Sequence, residues 1–162
     1  MAEAPALRDQ HGQSWPWPPL APDPGPPEGA DGASVPSRCW LFFLPGAFTP
    51  VCTAELGWVD ELAGRLAPAG IGLRVISCDS APVLRAFGDA HGVRTPLLSD
   101  FWPHGAAARR VGAFDDRSGR ARRTSVLVDA AGREMRRVEA APGQERRLAD
   151  HLSGDGVGPD RD

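Results

Sequence analysis

The chain has 162 residues, enough for one domain with an adequate core, and carries a formal charge of −3. That charge argues against a general role on nucleic acid or on a membrane surface. No apolar run approaches the length of a membrane span, the opening residues lack a signal-peptide pattern, and the three cysteines have no tight spacing, so a reducing, cytoplasmic setting is expected rather than a disulfide framework.

Taken in order, residues 4–13 predict a short hairpin that turns near His11 and Gly12. Residues 14–37 contain eight prolines, which rules out a continuous helix or a central strand and predicts a long irregular loop, pinned at its start by Trp15 and Trp17. Residues 39–44 form a continuous apolar run, the pattern of a strand buried on both faces. Thr49 is a good helix N-cap and Pro50 falls at the first helical position; the helix carries the apolar stripe Leu56, Val59, Leu62, Ala63 and Leu66 and stops at 68–70. Residues 73–78 read as a second buried strand. Ser80 opens a helix that Gly92 ends.

Further on, 95–99 is a short extended piece and 101–114 a helical or lid-like segment. Residues 124–128 and 135–139 read as strands joined by the turn Asp129-Ala-Ala-Gly132, 144–152 as a closing helix, and 153–162 as a disordered tail. The whole, residues 1–162, is a single α/β domain whose first half is parallel, with helices on both faces of the sheet.

Chemistry concentrates at Cys52. It lies in the first turn of the helix opened by Thr49, ahead of the apolar stripe, where unpaired backbone N–H groups and the positive end of the helix dipole favour thiolate. Its thiol is therefore expected to titrate below the free value of about 8.5. Thr49, three residues earlier, can face the same pocket. The histidines His11, His91, His104 and His151 are isolated, so no metal site is expected, and no glycine-rich loop or Cys-x-x-Cys suggests a cofactor.

The run Phe43-x-Pro45-x-Ala-Phe-Thr49-Pro-Val-Cys52-Thr-x-Glu55-Leu56 resembles the peroxiredoxin active-site signature, Pro-x-x-x-Thr-x-x-Cys. It is most similar to the one-cysteine, alkyl hydroperoxide reductase E-like branch known from actinobacteria. The resemblance implies a thioredoxin-like fold, a central mixed sheet flanked by helices. It also implies a thiol-dependent peroxidase that reduces hydrogen peroxide and organic hydroperoxides. Cys52 would be the peroxidatic nucleophile and pass through a sulfenic acid. Pro45 would shield the thiolate. The segment Arg123-Thr-Ser-Val-Leu-Val-Asp129 resembles the family strand that carries the active-site arginine, which its register puts at Arg123. Glu55 would hold the arginines; the alternative is an ordinary carboxylate on the helix surface.

The family's usual resolving positions hold no cysteine here, which implies an external thiol reductant: mycothiol, a mycoredoxin or glutaredoxin-like protein, or thioredoxin. Three alternatives stay open: a two-cysteine enzyme resolved by Cys78 or Cys39, a non-enzymatic peroxide sensor or binding protein, and a homodimer rather than a monomer. A thioredoxin-like disulfide reductase lacks both its paired cysteine and its proline before the third strand, where Arg122-Arg123-Thr124 stands.

Overall fold

The computed structural model describes residues 4–21 and 35–154. Among the described residues seven strands form one mixed sheet. Strands β1 (Leu7–Asp9) and β2 (Ser14–Trp15) make the opening hairpin; β3 (Arg38–Phe43), β4 (Ile71–Ser77) and β5 (Leu97–Ser99) form the parallel centre; β8 (Thr124–Asp129) and β9 (Glu134–Glu139) close the far side. A separate two-stranded ribbon pairs β6 (Phe114–Asp115) with β7 (Arg120–Ala121). The order across the sheet is β2-β1-β5-β4-β3-β8-β9. β3 is parallel to β4 and antiparallel to β8, with Phe42 opposite Ser125. Thioredoxin-like topology follows, as the motif implied.

Strand β3 shows why the centre is buried on both sides. Side chains alternate along a strand, so Trp40, Phe42 and Leu44 enter one core layer and Cys39, Leu41 and Phe43 the other. The first layer is covered by α1 (Pro50–Leu66) and α2 (Ala81–His91), through Leu56, Val59, Leu62, Leu84 and Phe87. The second is covered by the short helix α3 (Ala106–Arg110) with Phe114 and Trp15. No described helix is long and apolar enough to cross a membrane.

Several elements differ from the sequence pattern. The hairpin's second strand is Ser14–Trp15, within the stretch read as loop, because Trp15 is buried and its Nε1 donates to Asp9 Oδ2 at 3.0 Å. The next residues are held from below: the buried Arg74 donates to the carbonyls of Pro19 (3.0 Å) and Ala21 (2.8 Å). The rest of the proline-rich loop, 22–34, and most of the tail, 155–162, lie outside the described residues. The segment 101–114 is mostly turns around α3, whose first amides are capped from outside by Asp100, at 2.9 Å to both Ala107 N and Ala108 N. The expected helix at 144–152 shrinks to a 3-10 turn, Leu148–His151. Arg147 stands in extended backbone (φ −106°, ψ 137°), which interrupts a helix through this stretch, and the neighbouring Arg146 N–H is taken up by Glu55 Oε2 at 2.9 Å.

Candidate active site

The parallel strands β3 and β4 end together, and the loop after β3 carries Pro45, Thr49 and then Cys52 at the start of α1. The loop is fastened by Asp79, just past β4. Asp79 Oδ2 accepts from Ala47 N and from Ser77 Oγ, both at 2.8 Å. Phe48 takes a left-handed φ of 62°, uncommon for a residue with a Cβ and a local strain that this fastening sustains. Thr49 stands at the N-cap with extended backbone, but its hydroxyl does not cap the helix. It donates to Gly46 O at 3.0 Å and closes the loop on itself.

Cys52 is fully buried, and it opens the buried stripe of α1 rather than preceding it: Cys52, Glu55, Leu56, Val59 and Leu62 share the inward face. Spacing of three and four residues puts them there. Arg123, immediately before β8, donates from Nη2 to Cys52 Sγ at 3.5 Å. Its Nη1 pairs with Glu55 Oε1. Its Nε is buried with no hydrogen-bond partner among the described residues.

Glu55 is not a surface residue. It is fully buried and takes a second arginine, Arg146, in a fork: Nε to Oε2 at 2.8 Å and Nη2 to Oε1 at 3.0 Å. Burial alone would raise its carboxyl; the hydrogen bonds and charge of Arg146, then the charge of Arg123, outweigh that and hold it below the usual glutamate value. Arg146 also stacks on Phe42, with Cζ 3.6 Å from the ring centroid. One carboxylate between two guanidiniums leaves a net positive field, and Arg123 brings that field to the sulfur.

Cys39 and Cys78 belong to the core layer on the opposite face of the sheet from Cys52. Cys39 is the second residue of β3, roughly 16 Å of extended strand from the active-site loop at about 3.3 Å per residue. Cys78 is nearer. It lines a cleft of about 240 Å³ together with Pro45, Thr49, His104 and Arg120. Its thiol is pushed up to about 11, first by burial and then by the charge of Asp100.

Sequence reasoning missed Arg146, Asp79 and Asp100. Asp79 had a signal in its place just past the second buried strand, in Ser77-Cys78-Asp79. Arg146 had none, since it sits in a polar run like any surface arginine. Among the described residues no group of three or more His, Cys, Asp or Glu could hold a metal ion.

Residues 34–133 match the AhpC/TSA family. The chain is 35% identical over 92 residues to alkyl hydroperoxide reductase E of Mycobacterium tuberculosis, covering 57% of this chain and 60% of that protein. It therefore spans less than two thirds of that relative's length. Peroxiredoxin Pen c 3 of Penicillium citrinum is 33% identical over 118 residues, 69% of each chain. Among solved structures, AhpC of Enterococcus faecalis superposes with a TM-score of 0.65 at 31% identity over 70% of both chains. Peroxidoxin BcpB of Mycobacterium tuberculosis gives 0.70 at 23% identity over 93% of this chain and 87% of its own, a likeness of fold. Signature loop, sheet order and sequence matches converge, and the chain belongs to the AhpC/TSA family of peroxiredoxins.

Proposed function

We propose that the chain is a thiol-dependent peroxidase acting on hydrogen peroxide and organic hydroperoxides, with Cys52 as nucleophile. The contact of Arg123 with Cys52 Sγ, braced by Glu55 and Arg146, carries this reading. The Cys52 thiolate attacks the terminal oxygen of the hydroperoxide. The S–O bond forms as the O–O bond breaks, sulfur is oxidised to sulfenic acid, and the departing oxygen takes a proton to leave as water or alcohol. Arg123 supplies donors on one edge. Nη2 stabilises the thiolate, and the buried Nε–H is free to bond the peroxide oxygens as charge moves onto the leaving group. Pro45 and Thr49 form the wall of the adjoining cleft.

An external thiol then attacks the sulfenic sulfur, releasing water as a mixed disulfide forms, and a second thiol restores Cys52. The opposite-face location of Cys39 and Cys78 favours this one-cysteine cycle. Mycothiol, a mycoredoxin or glutaredoxin-like protein, or thioredoxin is the reductant, in a cytoplasmic setting. Steady-state peroxide consumption with each reductant is the test. Cys52→Ser should abolish it, and a variant that still consumes peroxide at the wild-type rate would refute the assignment.

A second reading has one observation behind it: Cys78 lines the same cleft as Pro45 and Thr49. If it resolves, one equivalent of peroxide leaves a Cys52–Cys78 disulfide rather than a sulfenic acid that can be trapped. Peptide mapping without reductant distinguishes the two.

A further inference from the structure

Arg146 has a second attachment that neither the signature nor the ion pair explains. Its Nη1 donates to Ser125 Oγ at 2.9 Å, and the same oxygen lies 2.9 Å from His151 Nε2. Ser125 and His151 are both fully buried. The hydrogen-bond directions follow from the partners. His151 Nδ1 lies 3.0 Å from the carbonyl of Arg147, which only accepts, so Nδ1 carries the ring proton. Nε2 is then the acceptor, and the Ser125 hydroxyl donates to it. That orientation turns a lone pair of Ser125 Oγ towards Arg146.

The surroundings keep this arrangement single-valued. Trp40, Phe42 and Trp58 pack around His151, with ring centroids 4.9, 5.5 and 6.0 Å away. The charged groups near it are Arg146, Asp150 and Glu55. A neutral imidazole fits that site: burial among the rings and the charge of Arg146 disfavour a second proton more than Asp150 and Glu55 favour it.

We infer that Ser125 and His151 are positioning residues for the proposed peroxidase chemistry: the neutral imidazole orients the serine hydroxyl, the hydroxyl fixes Arg146 on Glu55, and Glu55 thereby holds Arg123 against Cys52. The chain of contacts runs from the turn Leu148–His151 to the thiol without a gap. It rests on the peroxidase reading for its purpose but not for its geometry.

The test compares variants that keep or remove each contact. Ser125→Ala removes the hydroxyl and Ser125→Thr keeps it. His151→Phe removes the acceptor while keeping a ring, and His151→Gln keeps an acceptor near the Nε2 position. Two rates are followed against pH in the full chain: oxidation of Cys52 by hydrogen peroxide, and alkylation of Cys52 by iodoacetamide, read by peptide mapping. Melting temperature is recorded alongside. Ser125→Ala and His151→Phe should slow both rates about tenfold at neutral pH, since loosening one charge-assisted contact is worth about that factor. The acid limb of both profiles should move to higher pH. Ser125→Thr and His151→Gln should restore most of each. The inference is overturned if the profiles of the removing variants superimpose on wild type while only the melting temperature falls. It is also overturned if the conservative variants do not rescue. Alkylation needs no peroxidase activity. A wild-type chain inert to peroxide whose alkylation profile still shifts in Ser125→Ala would sink the proposed function and uphold the positioning role.

Discussion

Cys52 and Cys78 are both buried thiols at the C-terminal end of the parallel strands, on opposite faces of one sheet. Their neighbours differ in sign. Cys52 meets the guanidinium of Arg123. Cys78 meets burial and the carboxylate charges of Asp100 and Asp79, which push its thiol up to about 11. Burial by itself disfavours a thiolate at either position. What separates a candidate nucleophile from an inert core thiol is the charge placed within a few ångströms. The Cys52 side accepts the cost of burying two arginines and a glutamate to supply a cation, while the Cys78 side uses its acids for structure, the half-buried Asp79 on the loop and the buried Asp100 on α3.

The sharpest way to break this contrast is Glu55→Gln. It leaves Arg123 and Arg146 facing each other without their shared anion. Unfolding free energy should fall by about 3–5 kcal/mol, the usual penalty for an uncompensated buried charge. Peroxide consumption should drop by about tenfold or more because Arg123 is no longer held. Denaturant titration together with initial rates checks both, and an unchanged rate would mean that Arg123 is positioned by something else.

Opposite pH dependences of the two faces come next. Burial pulls His151, on the Cys52 face, from 6.5 to about 4. The unfolded chain takes up that proton first as pH falls, so the stability tied to the neutral ring is complete above pH 6.5 and lost on descending to about 4. Burial pushes Asp100, on the Cys78 face, from 3.8 up to about 6. Its contribution is complete below pH 3.8 and lost as pH rises through about 6. Each amounts to about 3 kcal/mol at 1.36 kcal/mol per pKa unit. The two nearly cancel in the wild type, so removing one should expose the other. Between pH 4 and 6, relative to wild type, His151→Gln should lose stability with rising pH and Asp100→Asn should gain it. Parallel curves for the three proteins would show that neither site titrates as assigned.

A smaller effect sharpens the contrast at the thiol itself. Asp100→Asn should lower the pH at which Cys78 begins to react with iodoacetamide, but only partway, since burial is the larger cause. Cys52 alkylation should be unaffected. Smallest is Thr49→Val, which removes the bond to Gly46 O at a cost of about 1 kcal/mol. Its melting temperature should fall slightly, and a loss as large as that of Glu55→Gln would give Thr49 a role beyond closing the loop.

Much of the molecule was legible in the chain because local rules write it there. Apolar run, proline at the first helical turn and the periodicity of α1 are short-range properties, and they located β3, the start of α1 and Cys52 within it. The signature then pointed to Pro45, Thr49 and Glu55, and the register of the segment 123–129 to Arg123. Only the tertiary structure decided what Glu55 does. Its second partner, Arg146, is 91 residues away, reaches it from a segment read in the sequence as a closing helix, and has no local mark that separates it from the other arginines. The same holds for Ser125 and His151, brought together because β8 runs antiparallel to β3 in a register that sets Ser125 opposite Phe42. Which face each cysteine takes was likewise decided by strand alternation within an assembled sheet. A sequence encodes the period of an element. The partner of a buried charge depends on strand register and chain return, which are settled only when the layers pack.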